Sequence, residues 1–150
     1  MLDVESIAEA LFAQVSNMAG VRFATRSRYG FDQVPEFPAL VLRLDGGDVQ
    51  FVAHGMPYRY GLRFDVVVMD RNDGTETSPE SSLNAIFLEL QDALAPDDGE
   101  QVQTLGGLVE HCVLNGSFDY YPPTPEVPFA QAWFPVEILA TDSNAASGGT

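Results

Sequence analysis

The feature that most constrains this 150-residue chain is an alternation over residues 58–70. Tyr60, Leu62, Phe64, Val66 and Val68 take every second position, between Arg59, Gly61, Arg63 and Asp65. A period of two puts the apolar set on one side of an extended strand, so that strand must lie against a hydrophobic layer. Two helix patterns can supply the layer. Over residues 2–19, Val4, Ile7, Leu11, Val15 and Met18 recur at three- and four-residue steps, and Gly20 stops the run. Over about 79–95, Leu83, Ile86, Phe87, Leu90 and Leu94 form a second stripe. Thr77-x-x-Glu80 reads as its capping box, Pro79 suits its first turn, and Ala95-Pro96 ends it.

Other segments read as partners for the central strand. Residues 38–45 place Leu40, Leu42 and Leu44 on one face, and Asp45-Gly46-Gly47-Asp48 then reads as a turn before a short strand from Val49 to Ala53. Residues 107–115 and 129–141 read as two later strands, the last with Ala130, Ala132, Phe134, Val136, Ile138 and Ala140 on one face. Residues 21–36 fit no single pattern; if extended, they present a basic face and a mixed aromatic–polar face, and Val34-Pro35 and Phe37-Pro38 then force extended backbone. Tyr120 to Pro128 reads as a stiff loop with four prolines. The expected fold is α+β: a mainly antiparallel four-stranded sheet with two helices packed on one face, in the order α-β-β-α-β-β. It forms one domain over residues 1–141, with a disordered tail over 142–150.

A chain of this size buries enough surface to need no staple. Its single cysteine, Cys112, forms no internal disulfide. No apolar run approaches the length of a membrane span, and the N-terminus carries Asp3, Glu5 and Glu9 where a signal peptide would be basic. The chain is expected to be made in a cytosol and used there or in a particle built there.

Charge is distributed unevenly. The net charge is −15; all seven basic residues are arginines, and all lie in residues 1–71 opposite nine acids. Residues 72–150 hold 13 acids and no base. Such a charge opposes binding to nucleic acid or anionic membrane. It serves solubility or reflects a host that favours acidic proteins, or it gives one surface that repels DNA or attracts a basic partner.

Enzyme signatures are mostly absent: there is no phosphate-binding glycine loop, no H-E-x-x-H, no C-x-x-C and no G-x-S-x-G. His54, His111 and Cys112 are the candidate catalytic side chains. The adjacent His111 and Cys112 would point to opposite faces of a strand, which prevents proton transfer between them, so all three read as structural or surface residues. Asp70-Arg71-Asn72-Asp73-Gly74 has the look of a calcium loop, but its spacing slips by one and its twelfth position is Ser81. It reads as a plain turn, as does Asp97-Asp98. No cofactor or metal is expected.

Three features suit an interface. Arg22, Arg26 and Arg28 fall at even spacing, with Phe23 and Tyr29 between and beside them. The stripe would suit nucleic acid, carboxylates of a protein partner, or solvent; arginine's planar fork and the acidic second half favour the protein. Trp133 covers a core edge or anchors a neighbour. Tyr120-Tyr121-Pro122-Pro123 is rigid, aromatic and uncharged, and would lose little entropy on docking. A basic patch and an acidic surface on one subunit also suit head-to-tail ring formation.

In layout the chain resembles the tail terminator (tail completion) proteins of long-tailed bacteriophages. The likeness runs through the N-terminal amphipathic helix, Phe37-Pro38-Ala39-Leu40-Val41-Leu42, the strand Tyr60-Gly61-Leu62-Arg63-Phe64-Asp65-Val66-Val67-Val68, and the helix from Pro79 to Ala95. It continues through Thr104-Leu105-Gly106-Gly107 and the final strand ending Val136-Glu137-Ile138-Leu139, covering residues 2–141. The acidic bias and the proline-rich loop depart from the pattern. The resemblance implies a homo-oligomeric ring, usually a hexamer, that caps the tail tube, stops its growth and offers a joint to the head connector. DNA would pass through the lumen without specific binding, and the protein would reside at the tail-neck junction of a virion after assembly in the host cytoplasm. Another neck protein, such as a head-closure or adaptor subunit, shares the size and ring-forming behaviour. A small ligand-binding domain or enzyme is the remaining class.

Overall fold

A computed structural model describes residues 2–26, 33–71 and 80–142. In chain order the elements are α1 (Val4–Ser16), β1 (Phe23–Thr25), β2 (Ala39–Gln50), β3 (Arg59–Arg71), α2 (Ser81–Ala93), β4 (His111–Leu114), β5 (Asp119–Tyr121) and β6 (Phe129–Thr141). The alternating segment lies mid-sheet: β3 pairs antiparallel with β2 from Met69 to Arg59 and with β6 along its full length. Leu62, Phe64, Val66 and Val68 face both helices, together with Leu40 and Leu42 of β2 and the even positions from Ala130 to Ala140 of β6. From the helices, Ile7, Leu11 and Val15 of α1 and Leu83, Ile86 and Leu90 of α2 close this core. The Asp3 carboxylate caps α1 by accepting from the Ser6 backbone N–H at 3.2 Å. No helix among the described residues is long and apolar enough to cross a membrane.

The sheet differs from the expected one. It has six strands and is mixed, in the order β1-β2-β3-β6-β4 with β5 also on β6. The short β1 runs parallel to β2, from Phe23 beside Ala39 to Thr25 beside Val41. The region read as a strand, a turn and a short strand is one strand, β2, with a register shift between Leu44 and Gly46. The two glycines serve that irregularity rather than a turn. Gly46 has a φ of +145°, and a Cβ on Gly47 would collide with the Gly61 carbonyl oxygen. The strand expected over 107–115 shrinks to β4, because residues 104–110 are taken up by turns in which Leu105, Gly106 and Gly107 all have positive φ. The proline-rich loop yields its start to β5.

β4 and β5 lie along the same edge of β6, opposite Val136–Leu139 and Gln131–Trp133 respectively. Pro135 sits at the break between them. Its carbonyl accepts from Asn115 N–H at 3.2 Å, so the side of Pro135 that lacks a donor also faces that interrupted edge. The helix α2 starts at Ser81 with Glu80 at the cap and no side-chain cap bond; Thr77 and Pro79 lie outside the described residues. So do residues 72–74 of the calcium-like turn and the tail from Ser143 onward.

Candidate interaction surfaces

The sheet has a second face, turned away from the helices. There Val34, Ala39, Val41, Val67 and Met69 form a small apolar cluster against Phe23, Phe37 and Trp133. Trp133 is half-buried on it; the Arg43 guanidinium lies 4.8 Å above its ring, and the Tyr121 ring meets it edge-on at 6.3 Å. Tyr121, Pro122, Thr124, Val127, Gln131 and Trp133 enclose an open groove of about 380 Å³. Tyr120 points to the other side of β5, over α2, where Phe87, Phe118 and Phe134 line a cavity of about 280 Å³. Burial first, and then the Glu80 carboxylate to which it hydrogen-bonds, raise the Tyr120 hydroxyl above the usual tyrosine range. The two tyrosines therefore edge two apolar recesses on opposite sides of one short strand.

The arginines stand at the opposite edge of the sheet. Arg22 and Arg26 flank β1 and are exposed. The two terminal guanidinium nitrogens of Arg26 donate to the Glu5 carboxylate, at 2.8 and 2.7 Å, joining the end of β1 to α1 within one chain. That hydrogen-bonded partner holds the Glu5 carboxyl below the usual range. Arg28 lies outside the described residues. The expected interface residues thus divide: Tyr121 and Trp133 meet, Tyr120 faces the other side of β5, and the arginines lie across the sheet from all three.

A further surface escaped the sequence reading. The end of the sheet built from the second half of β2 and the start of β3 projects past the helices. At its tip Val49, Phe51, Val52, Met56 and Tyr58 are exposed, Phe51 to 59% and Met56 to 58%. The Phe51 ring contacts His54 at 5.3 Å and Tyr58 at 6.1 Å, so the tip is a small apolar knob. A signal was present: residues 49–58 contain no acid in a chain that has 22.

The polar groups on the open face form short chains. His111 Nε2 lies 3.7 Å from Glu137 Oε1, and Asn115 Nδ2 donates to Glu137 Oε2 at 2.5 Å. Asp65 stands beside Arg43 and Pro135, and its carboxyl is raised above the usual range by burial, then by Asp45, against the opposing pull of Arg43. Among the described residues no group of three or more His, Cys, Asp or Glu is placed to hold a metal ion.

His111 and Cys112 do face opposite sides of β4, His111 toward Glu137 and Cys112 into the helix-side core. Burial pushes the Cys112 thiol up to about 12. A thiol reagent at pH 8 is therefore expected to label Cys112 only as fast as the protein opens, and denaturant should accelerate it; rapid labelling of the native protein would show the thiol to be accessible. Above the ordinary thiol value of 9.0 the unfolded chain ionises while the native thiol stays protonated, so this contribution to stability falls between pH 9.0 and about 12.

No protein-family model matches the sequence, and a search of curated proteins finds no match. The fold does match solved structures. One is a chain of the "Virion of native gene transfer agent (GTA) particle", with a TM-score of 0.56 and 11% sequence identity over 90% of this chain and 94% of that one. At that identity the likeness establishes a shared fold.

Proposed function

We propose that the chain is a structural subunit of a phage-like virion, a tail terminator that assembles as a homo-oligomeric ring, caps the tail tube and provides the joint to the head connector. The observation that carries this reading is the fold shared, over nine-tenths of both chains, with a component of a virion particle. Three further features support it. The layout resembles the terminator proteins; residues 72–150 carry 13 acids and no base, which would keep a lumen from retaining DNA phosphates; and the molecule exposes apolar surface at both ends of its sheet. In this reading the protein acts by contact rather than catalysis, at the tail-neck junction, with the tail tube protein and the head connector as partners.

The test is native mass. Purified protein, alone and mixed with tail tubes, is expected to reach a closed assembly of six chains, at high protein concentration or on the tube. A strict monomer under every condition would overturn the reading. A ring that binds connector but leaves tube growth unchanged would favour a head-closure or adaptor subunit.

A further inference from the structure

The connection from β4 to β5 opens with Asn115-Gly116, the only asparagine in the chain that precedes a glycine. In such a pair the backbone nitrogen of the glycine can reach the asparagine carboxamide, because glycine has no side chain to obstruct the approach and turns its backbone freely. The local structure leaves that approach open. Both residues are exposed, just beyond the end of β4. Gly116 has a φ of +119°, and its N–H makes no hydrogen bond among the described residues. The Asn115 N–H, by contrast, is anchored on the Pro135 carbonyl at 3.2 Å. One residue is thus fixed to the sheet while the next peptide can turn.

The Asn115 side chain also supports the edge of the sheet. Its Nδ2 donates to Glu137 Oε2 at 2.5 Å, linking the end of β4 to β6. This contact lies at the surface, where water competes for both groups, so the carboxamide can leave it. Two other groups face Glu137. His111 Nε2 stands 3.7 Å from its second oxygen, and Arg63 is its register partner on β3 but contacts Asp48 at 3.5 Å. Asn115 is therefore the group that gives Glu137 a hydrogen-bond donor.

We propose that Asn115 is a site of spontaneous self-modification, and that its product loosens the edge of the sheet at β4. The Gly116 nitrogen attacks Asn115 Cγ. The N–Cγ bond forms, the Cγ–Nδ2 bond breaks, and ammonia leaves with the proton that Gly116 gives up. Water then opens the resulting succinimide at one of its two carbonyls, which leaves aspartate or, with the backbone routed through the side chain, isoaspartate. Water is the only reagent consumed. Either product puts a second carboxylate against Glu137 where a donor had been, and like charges so close repel. Isoaspartate also lengthens the backbone next to the Asn115 N–H that holds Pro135. The reaction needs no partner, so it stands apart from the ring reading.

The test is to age the full-length native protein at pH 8 and map its peptides by mass spectrometry, with enzymatic methylation to mark isoaspartate. Asn115 is expected to convert at least about tenfold faster than Asn17 or Asn84, neither of which precedes glycine, and to give both products. Conversion in urea but none in the native protein would show that the fold and Glu137 hold the carboxamide in place, and would overturn the site. Asn115→Asp, which stands in for one product, tests the consequence. It should speed amide hydrogen exchange across His111–Leu114 by at least about tenfold and leave the centre of β3 unchanged. Adding Glu137→Gln to that variant removes the repulsion and should return the exchange toward that of the parent. Unchanged exchange in Asn115→Asp, or no recovery with Glu137→Gln, would overturn the loosening of the edge.

Discussion

Phe64→Ala is expected to lower the unfolding free energy by about 3–5 kcal/mol. Phe64 is 2% exposed in the central strand, between Leu44 of β2 and Val136 of β6, and it packs toward the helices. Both neighbouring strands are fixed by backbone pairing, so the site cannot collapse freely around the missing ring, and the cavity adds to the lost burial. A domain is stable by only about 5–15 kcal/mol in all, so the variant should lose a large share of its margin. Equilibrium unfolding in urea should show a lower midpoint with the slope retained. Leu88→Ala is the control: Leu88 is 63% exposed on α2, and its loss should stay within about 0.5 kcal/mol. A loss below about 1 kcal/mol at Phe64 would mean that its neighbours repack to fill the space.

The same residue explains what could be read from the sequence. Phe64 belongs to an alternation that runs from Tyr60 to Val68 in β3, and a pattern that long survives a local exception such as the apolar, buried Val67. The stripes of α1 and α2 were legible for the same reason, although their ends were not: α1 stops at Ser16 and α2 starts at Ser81. Short strands leave no period to find. β1 and β5 have three residues each and are held by pairing with distant partners. Gly46 and Gly47 carried a true conformational signal that pointed to the wrong element, since a register shift within a strand and a turn both call for glycine.

The candidate surfaces were legible in part. Trp133 lies with Gln131 on the face away from Phe134, because β6 alternates from Ala130 to Ala140. The arginine spacing was real, but spacing does not reveal partners. Ala24 points into the helix-side core, so Arg26, on the same side of the strand, falls within reach of Glu5 on α1. The exposed knob was hidden because sequence reasoning buries apolar residues by default, and only the end of α1's cover shows where β2 leaves the core.

Gln103 is the position at which sequence reading had least to offer and at which a conservative change should still be felt. It lies between α2 and β4 and is 2% exposed. Its Nε2 donates to the Ala95 carbonyl at 2.9 Å, and its Oε1 accepts from the Leu105 N–H at 2.9 Å. One side chain thus satisfies the backbone at the end of α2 and the turn containing the positive φ of Leu105. Gln103→Leu keeps the volume and leaves both backbone groups without that partner, which should cost about 1–3 kcal/mol. Gln103→Glu retains the acceptor for Leu105 but loses the donor. It also places a carboxylate in a buried position close to Asp97, which now approaches Nε2 at 3.4 Å. Burial and that neighbour both raise the introduced carboxyl, so the variant should be less stable than Gln103→Leu at pH 7 and regain stability as pH falls toward the ordinary glutamate value of about 4.3. Urea midpoints measured across that pH range provide the check. If Gln103→Leu unfolds within about 0.5 kcal/mol of the parent, water replaces the amide at both backbone groups, and the connection depends on its turns rather than on this side chain.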